Sequence, residues 1–205
     1  QAVAELRKSY MYDLALKAGA ADSPLYTDIA LAARDALRST TEVEASLAAA
    51  WAACRACVGR PDATGLTQNE YKTMTRKMYL VIKLKETDAE LDVADAEQAA
   101  KEDWLADSQG RDEISEEGFK RCWFELADVN TESISAAAYA SFVDDVVRHA
   151  TVTTGEGRTA WRTDARLLNS IRGAAAETTL RAAKAKKRWQ RTYATWLEAY
   201  ETKRP

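Results

Sequence analysis

The sequence is poor in the residues that interrupt helices. Only 8 Gly and 3 Pro occur among 205 residues, whereas the helix-favouring residues Ala, Leu, Glu, Lys and Arg are abundant. An all-β chain needs turn residues at short intervals, so this composition excludes a turn-rich sandwich or barrel. Because 46% of the residues are hydrophobic and 6 are Trp, the chain can bury a sizeable core. The composition predicts an all-α fold with almost no sheet.

The sequence also lacks the residue sets that most catalytic and metal centres use. It has one His, His149, and 3 Cys, of which Cys54 and Cys57 form a single CxxC. A tetrahedral zinc site needs more ligands than this, and a redox CxxC is expected where a helix begins rather than inside an Ala-rich helical stretch. No phosphate loop, nucleophile elbow or zinc-protease motif occurs. We therefore expect ordinary thiols, no cofactor and no enzyme activity.

Long apolar runs and an N-terminal signal segment are missing as well. A membrane-spanning helix requires about 20 apolar residues, so no membrane span is predicted. These features favour a soluble, intracellular, cytoplasmic protein. Because the chain begins with Gln1 rather than Met, we expect it to be the ordered part of a longer polypeptide.

Charge is distributed unevenly along the chain. Residues 85–156 contain 6 Lys and Arg against 19 Asp and Glu, whereas residues 158–205 contain 12 against 4. Such opposed regions are typical of segments that contact each other or bind separate partners of opposite sign.

A recurring pattern of helix, short loop, apolar residue, capping Ser or Thr and helix occupies the middle of the chain. It appears in "GRPDATGLTQNEY", "DSQGRDEISEEGF" and "DVNTESISAAAY", where the Ser or Thr suits a helix N-cap. The pattern predicts three parts: N-terminal helices in residues 1–40, a helix-loop-helix domain in residues 41–150 and a basic helical arm in residues 158–205. Trp51, Trp104 and Trp123 lie on the apolar faces of helices beside these loops, which predicts that they share one buried core.

This unit resembles the EF-hand, a helix, twelve-residue calcium loop and helix whose eighth loop residue pairs with a partner hand. Aligning the loops on Leu66, Ile114 and Ile134 leaves few of the family's ligand positions filled. The surviving vestigial positions are Glu70, Asp107, Ser115 and Asp128. Because calcium requires six to eight oxygen ligands, the alignment predicts no metal site. The spacing allows one docked pair, and we expect Leu66 opposite Ile114.

The second loop also carries Arg111, which would place a cation where the metal would lie in an EF-hand. An unrelated α-helical bundle with Ser- and Thr-capped helices remains the alternative to EF-hand descent. The segments "EYKTMTRKMYLVIKL", "FKRCWFELAD" and "YASFV" are also similar to parts of large flagellar and ciliary proteins of protists and algae. That resemblance implies a cytoskeletal location, such as the axoneme of a cilium or flagellum, and tubulin or axonemal partners.

The C-terminal region contains a basic stretch that leads into an aromatic stripe. Residues 178–203 contain no Gly or Pro, which predicts a long helix, and the aromatic side chains recur at helical spacing. The predicted partner-binding residues are Trp189, Tyr193, Trp196, Tyr200, Lys184, Lys186, Lys187, Arg188 and Arg191. Three interpretations stay open: folding back on the acidic domain, docking on another protein or filament such as a calmodulin-like lobe or a microtubule, and binding nucleic acid or a membrane surface. Strict helical spacing makes nucleic acid the weakest of these.

Two functions are consistent with the sequence. The first is a non-catalytic scaffold subunit of a larger assembly, with degenerate EF-hand-like units and a basic anchoring helix. The alternative is a calcium-responsive regulator, either a calmodulin-like sensor or a calmodulin-binding subunit.

Overall fold

The computed structural model describes residues 27–86, 92–131 and 133–174 of the chain. The described part is mostly helical and contains two very small sheets, so the mostly helical character predicted from composition is confirmed. The helices are α1 (Asp28–Ala36), α2 (Thr41–Cys57), α3 (Gln68–Glu86), α4 (Val93–Ser108), α5 (Glu116–Val129), α6 (Ala136–Ala150) and α7 (residues 164–174). The strands are β1 (Gly65–Thr67), β2 (Glu113–Ser115), β3 (Thr151–Thr153) and β4 (Thr159–Trp161).

Side-chain caps fix where several of these helices begin. The hydroxyl of Ser115 accepts a hydrogen bond from the Gly118 amide at 3.3 Å, and that of Ser135 accepts one from the Ala138 amide at 3.4 Å. These bonds satisfy amides that have no partner within the first turn of a helix. The two serines are the ones whose capping role the sequence indicates.

Two helix-loop-helix units meet through a short antiparallel strand pair. Strand β1 lies between α2 and α3, strand β2 lies between α4 and α5, and the register places Leu66 opposite Ile114. This pairing is the one predicted from the aligned loops, and both side chains are fully buried. Because the pair joins the ends of two loops, it holds the loops side by side.

The core forms where the helices pack around this strand pair. Helix α4 packs mainly on α3, while α6 packs on α2 and also contacts α3 and α5. Trp51, Trp104 and Trp123 are all buried. Trp51 and Trp123 both pack on Phe119, with ring centroids 5.1 and 5.3 Å from it, whereas Trp104 packs 5.7 Å from Tyr71. The ring contacts therefore join α2 to α5 in one group and α3 to α4 in another.

A hairpin of β3 and β4 follows α6, with Val152 opposite Ala160. Helical periodicity does not predict this hairpin, and β4 lies inside the stretch expected to begin the basic arm. The chain divides between Arg162 and Thr163 into two compact units. In the second unit, the Thr163 hydroxyl accepts a hydrogen bond from the Arg166 amide at 3.4 Å where α7 begins.

Candidate functional site

The loop between α2 and α3 holds an arginine side chain among its own oxygen atoms. Gly59, with φ of 73°, ends the turn after α2 and is followed by Arg60. The Nη2 atom of Arg60 donates to the Gly65 carbonyl at 3.0 Å and to Oε2 of Glu70 at 2.6 Å. When the loop is numbered from Leu66 as residue eight, these acceptors occupy positions seven and twelve. In a calcium loop, the position-seven carbonyl and the position-twelve carboxylate are metal ligands.

Glu70 is fixed by further bonds at the start of α3. Its Oε2 accepts from the Thr67 amide and from the Thr67 hydroxyl, each at 2.8 Å, and the bond to the amide is one half of a capping box. Partial burial alone would raise the pKa of Glu70, but the bonds from Thr67 and the Arg60 guanidinium outweigh it and lower that pKa. The carboxylate therefore stays charged and its bonded oxygen already has three donors.

The second loop is closed by different contacts. Asp107 accepts a hydrogen bond from the Tyr71 hydroxyl and also interacts with the Cys122 thiol. Arg111 is exposed, and its Nε donates to the Ser108 carbonyl at 3.1 Å. Among the described contacts, the guanidinium that binds the ligand positions of its own loop is therefore that of Arg60 in the first loop, not that of Arg111 in the second. At Gly118, where an EF-hand carries its closing Glu, an added Cβ would lie 3.2 Å from Ile114 Cγ2. At this twelfth loop position, Ile114 therefore packs close to a glycine, and the loop has no closing carboxylate.

In the third predicted loop, Asp128 also binds an arginine, but this arginine lies on a helix far away in the sequence. Asp128, near the end of α5, is 2% exposed and accepts hydrogen bonds from Arg34 of α1 at 3.1 Å and from the Tyr139 hydroxyl. Two of the four vestigial loop positions, Glu70 and Asp128, therefore have an arginine guanidinium as a direct partner. Ser115 caps α5, and Asp107 binds Tyr71.

The thiols and the imidazole lie in surroundings that suppress ionisation. Burial raises the pKa of Cys57 and that of Cys122 to about 12, and burial, with the neighbouring Cys57, also raises the pKa of Cys54 well above its usual value. Burial, followed by the nearby Arg148, Lys85 and Arg162, lowers the pKa of His149 to about 4. These groups are therefore neutral near pH 7, as expected of structural rather than reactive side chains.

Two features of the site were not predicted from the sequence, namely the roles of Arg60 and Arg34. A signal for Arg60 does exist, because it directly follows the glycine that ends α2 and precedes the capping Glu70 by ten residues. Arg34 lies 94 residues from Asp128, and no local pattern indicates that contact. The predicted partner-binding residues lie outside the described residues: Trp189, Tyr193, Trp196, Tyr200, Lys184, Lys186, Lys187, Arg188 and Arg191.

Within residues 27–86, 92–131 and 133–174, no cluster of three or more His, Cys, Asp or Glu side chains is arranged to hold a metal ion. Across the same described ranges, no helix combines the length and apolar character that crossing a membrane requires. Comparisons with protein-family models, with curated proteins and with solved structures found no match to this chain.

Proposed function

We propose that the chain is a non-catalytic structural module of a larger assembly, built on a degenerate EF-hand-like pair that keeps its shape without calcium. The observation that carries this proposal is the position of Arg60. Its guanidinium is bonded to the Gly65 carbonyl and the Glu70 carboxylate, two oxygens that would face calcium in a working loop. A resident cation at this point competes directly with a metal ion.

The pairing of Leu66 with Ile114 supports the EF-hand-like part of the proposal. In an EF-hand pair, the eighth loop residues of two hands pair in this way, and here the pair is antiparallel and buried. An unrelated α-helical bundle has no requirement for a strand pair between two helix-connecting loops. The same geometry keeps the alternative function, a calcium-responsive regulator, open to test.

The basic aromatic stretch of residues 178–203 is the proposed anchor to partners. Four large aromatic residues at helical spacing supply apolar contact area, and the neighbouring Lys and Arg residues speed docking on an acidic surface. We propose protein partners rather than nucleic acid. The similarity of several segments to flagellar and ciliary proteins favours a cytoskeletal assembly such as the axoneme, with tubulin or an axonemal protein as the contact.

A binding assay with the full chain tests both whether the chain binds a cytoskeletal partner and whether that binding requires calcium. The immobilised chain is exposed to polymerised tubulin and to calmodulin, each in calcium and in a calcium chelator. We expect microtubule binding of equal strength in both conditions, reduced in a Trp189→Ala, Trp196→Ala variant whose circular dichroism is unchanged. Binding of either protein that appears in calcium and disappears with the chelator would favour the regulator instead, and no microtubule binding in either condition would overturn the proposed location.

A matched control separates aromatic anchoring from electrostatic attraction. Neutralising Lys184, Lys186 and Lys187 should weaken association at low ionic strength and have little effect at high salt, because exposed charges are screened. The loss caused by removing the two tryptophans should persist at both salt concentrations. An equal salt dependence for the two variants would contradict the proposed division of roles.

A further inference from the structure

The end of α5 surrounds one guanidinium group with oxygen acceptors. Arg34 donates from Nη1 to the Asp128 carbonyl at 2.8 Å, to Asp128 Oδ1 at 3.1 Å and to the Tyr139 hydroxyl at 3.2 Å. Its Nη2 atom donates to the Thr131 carbonyl at 3.2 Å. The Arg34 and Asp128 side chains are 3% and 2% exposed. Since a buried charge is costly unless it is paired, these acceptors form a specific site for a planar cation.

A second arginine of the same segment contacts the same helix one turn later. Arg38 follows α1 in a short 3₁₀ turn, Leu37–Ser39. Its guanidinium carbon lies 4.6 Å from the centre of the Phe124 ring, and its Nη2 lies 3.9 Å from Oε1 of Glu125. The segment thus presents arginines four residues apart to one face of α5.

Apolar contact holds α1 only in part. Among its described side chains, Ala30 is buried and Leu31 is half-buried, whereas Ile29 is 84% exposed. The area that one methyl group and part of one leucine bury is modest. The buried guanidinium of Arg34 therefore shares the docking of α1 with this apolar contact, and leaving its acceptors unpaired would cost free energy.

We propose that the C-terminal half of α5, together with Thr131 and Tyr139, is a receptor for an arginine-bearing helix, and that α1 occupies it within the same chain. The ligand class is a guanidinium group presented by a helix, with a second arginine one turn further along. Docking of α1 then depends on guanidinium geometry and not on positive charge alone. An ammonium group cannot donate from two nitrogens at once, as Arg34 does from Nη1 to the Asp128 carbonyl and from Nη2 to the Thr131 carbonyl.

The test uses the full-length chain and its Arg34→Ala and Arg34→Lys variants, with Arg158→Ala as control because the Arg158 side chain is 81% exposed. Hydrogen exchange reports whether α1 is docked, and the melting temperature reports the rest of the domain. Both Arg34 variants should lose protection of the α1 amides, and Arg34→Ala should melt about 6–20 °C lower. The control should match the parent. Protection of α1 that survives in Arg34→Lys would overturn the proposal.

Chemical rescue distinguishes a guanidinium site from a general cation site. Millimolar methylguanidinium should raise the melting temperature of Arg34→Ala more than that of the parent, because it binds the vacated site in the folded state. Methylammonium and calcium should give no such difference. Equal rescue by methylammonium, or no rescue by methylguanidinium, would contradict the assignment.

A second variant keeps the test decisive if Arg34→Ala does not fold. Adding Asp128→Asn removes the buried charge that Arg34 neutralises, so the double variant should melt higher than Arg34→Ala alone. A double variant that is no more stable than Arg34→Ala would show that the Asp128 carboxylate is not what the guanidinium pairs with.

Discussion

Arg60 and Arg34 make similar contacts although they come from unrelated parts of the chain. Each guanidinium binds a backbone carbonyl and a carboxylate beside a loop. Their exposure differs, since the side chain of Arg60 is 41% exposed and that of Arg34 is 3% exposed. Solvent weakens the first interaction much more than the second. The contacts of Arg60 therefore add modestly to the free energy of unfolding, whereas the buried contacts of Arg34 matter more to it.

The contribution of Arg60 can be measured with Arg60→Gln, which shortens the side chain and removes its charge. We expect the free energy of unfolding to fall by about 1 kcal/mol, in the range of a partly exposed charged hydrogen bond. Urea denaturation would measure it, with Arg158→Gln as the matched control at an exposed position. If the two variants unfold at the same urea concentration, the Arg60 contacts do not stabilise the loop.

The surroundings of His149 predict how the stability of the protein depends on pH. The imidazole is 3.6 Å from Asp145 and close to Lys85, Arg148 and Arg162. Its pKa is lowered from 6.5 to about 4 by burial and by these cations, so the unfolded chain binds the proton more tightly. Stability should therefore be full above pH 6.5 and should fall as the pH decreases towards 4.

The comparison with His149→Gln isolates this effect from the titration of carboxylates that both proteins share. Between pH 7 and pH 5, the parent should lose about 1–2 kcal/mol more stability than the variant. Melting curves recorded across this range provide the measurement. Parallel profiles for the two proteins would show that His149 is not held neutral by its surroundings.

Among the elements, the β1 and β2 strand pair depends on a close approach at Gly65. A Cβ atom at this position would lie 2.7 Å from Oε2 of Glu113, 3.1 Å from its Cβ and 3.3 Å from the Ile114 carbonyl oxygen. The Glu113 carboxylate can rotate away, but the Ile114 backbone can move only by disturbing the pair. A larger residue than glycine would therefore force the facing strand to shift by a few tenths of an ångström.

Gly65→Ala should consequently destabilise the domain by about 1–3 kcal/mol, the usual cost of overpacking. Gly155→Ala is the control, because a Cβ there meets no atom within 4 Å. Denaturation of both variants, with amide exchange at Leu66 and Ile114, would measure the effect and locate it. Unchanged exchange at Leu66 in Gly65→Ala would contradict the close approach.

The elements also show how far the sequence predicts the fold. Helices α2 to α6 and the caps at Ser115 and Ser135 follow from periodicity and capping patterns, because these depend on neighbouring residues. The pairing of Leu66 with Ile114 is expected instead from the EF-hand resemblance of the two loops. The β3 and β4 hairpin was missed although "TVT" and "TAW" flank a glycine-containing turn, a recognisable hairpin signal. The Arg34 site depends on folding that joins distant segments, so no sequence window contains it.

For the whole molecule, the aromatic cluster connects the two helix-loop-helix units. Trp123 is 1% exposed and packs on Phe119, which also contacts Trp51 of the other helix-loop-helix unit. Trp123→Ala should reduce the free energy of unfolding by about 3–5 kcal/mol. Leu105→Ala, at a side chain that is 74% exposed, should change it very little. Similar unfolding midpoints for the two variants would show that the cluster does not hold the units together.

The central claim is that the helix-loop-helix pair holds its shape without calcium, with the Arg60 guanidinium bonded to two of the oxygens that would face the metal in a working loop. Isothermal titration of the full chain with calcium, at physiological ionic strength and after treatment with a chelator, tests this claim most directly. We expect no binding heat and no change in melting temperature through the concentration range of calcium sensors. A saturable site with a dissociation constant at or below about 10⁻⁵ M, the range typical of sensor loops, would contradict the claim.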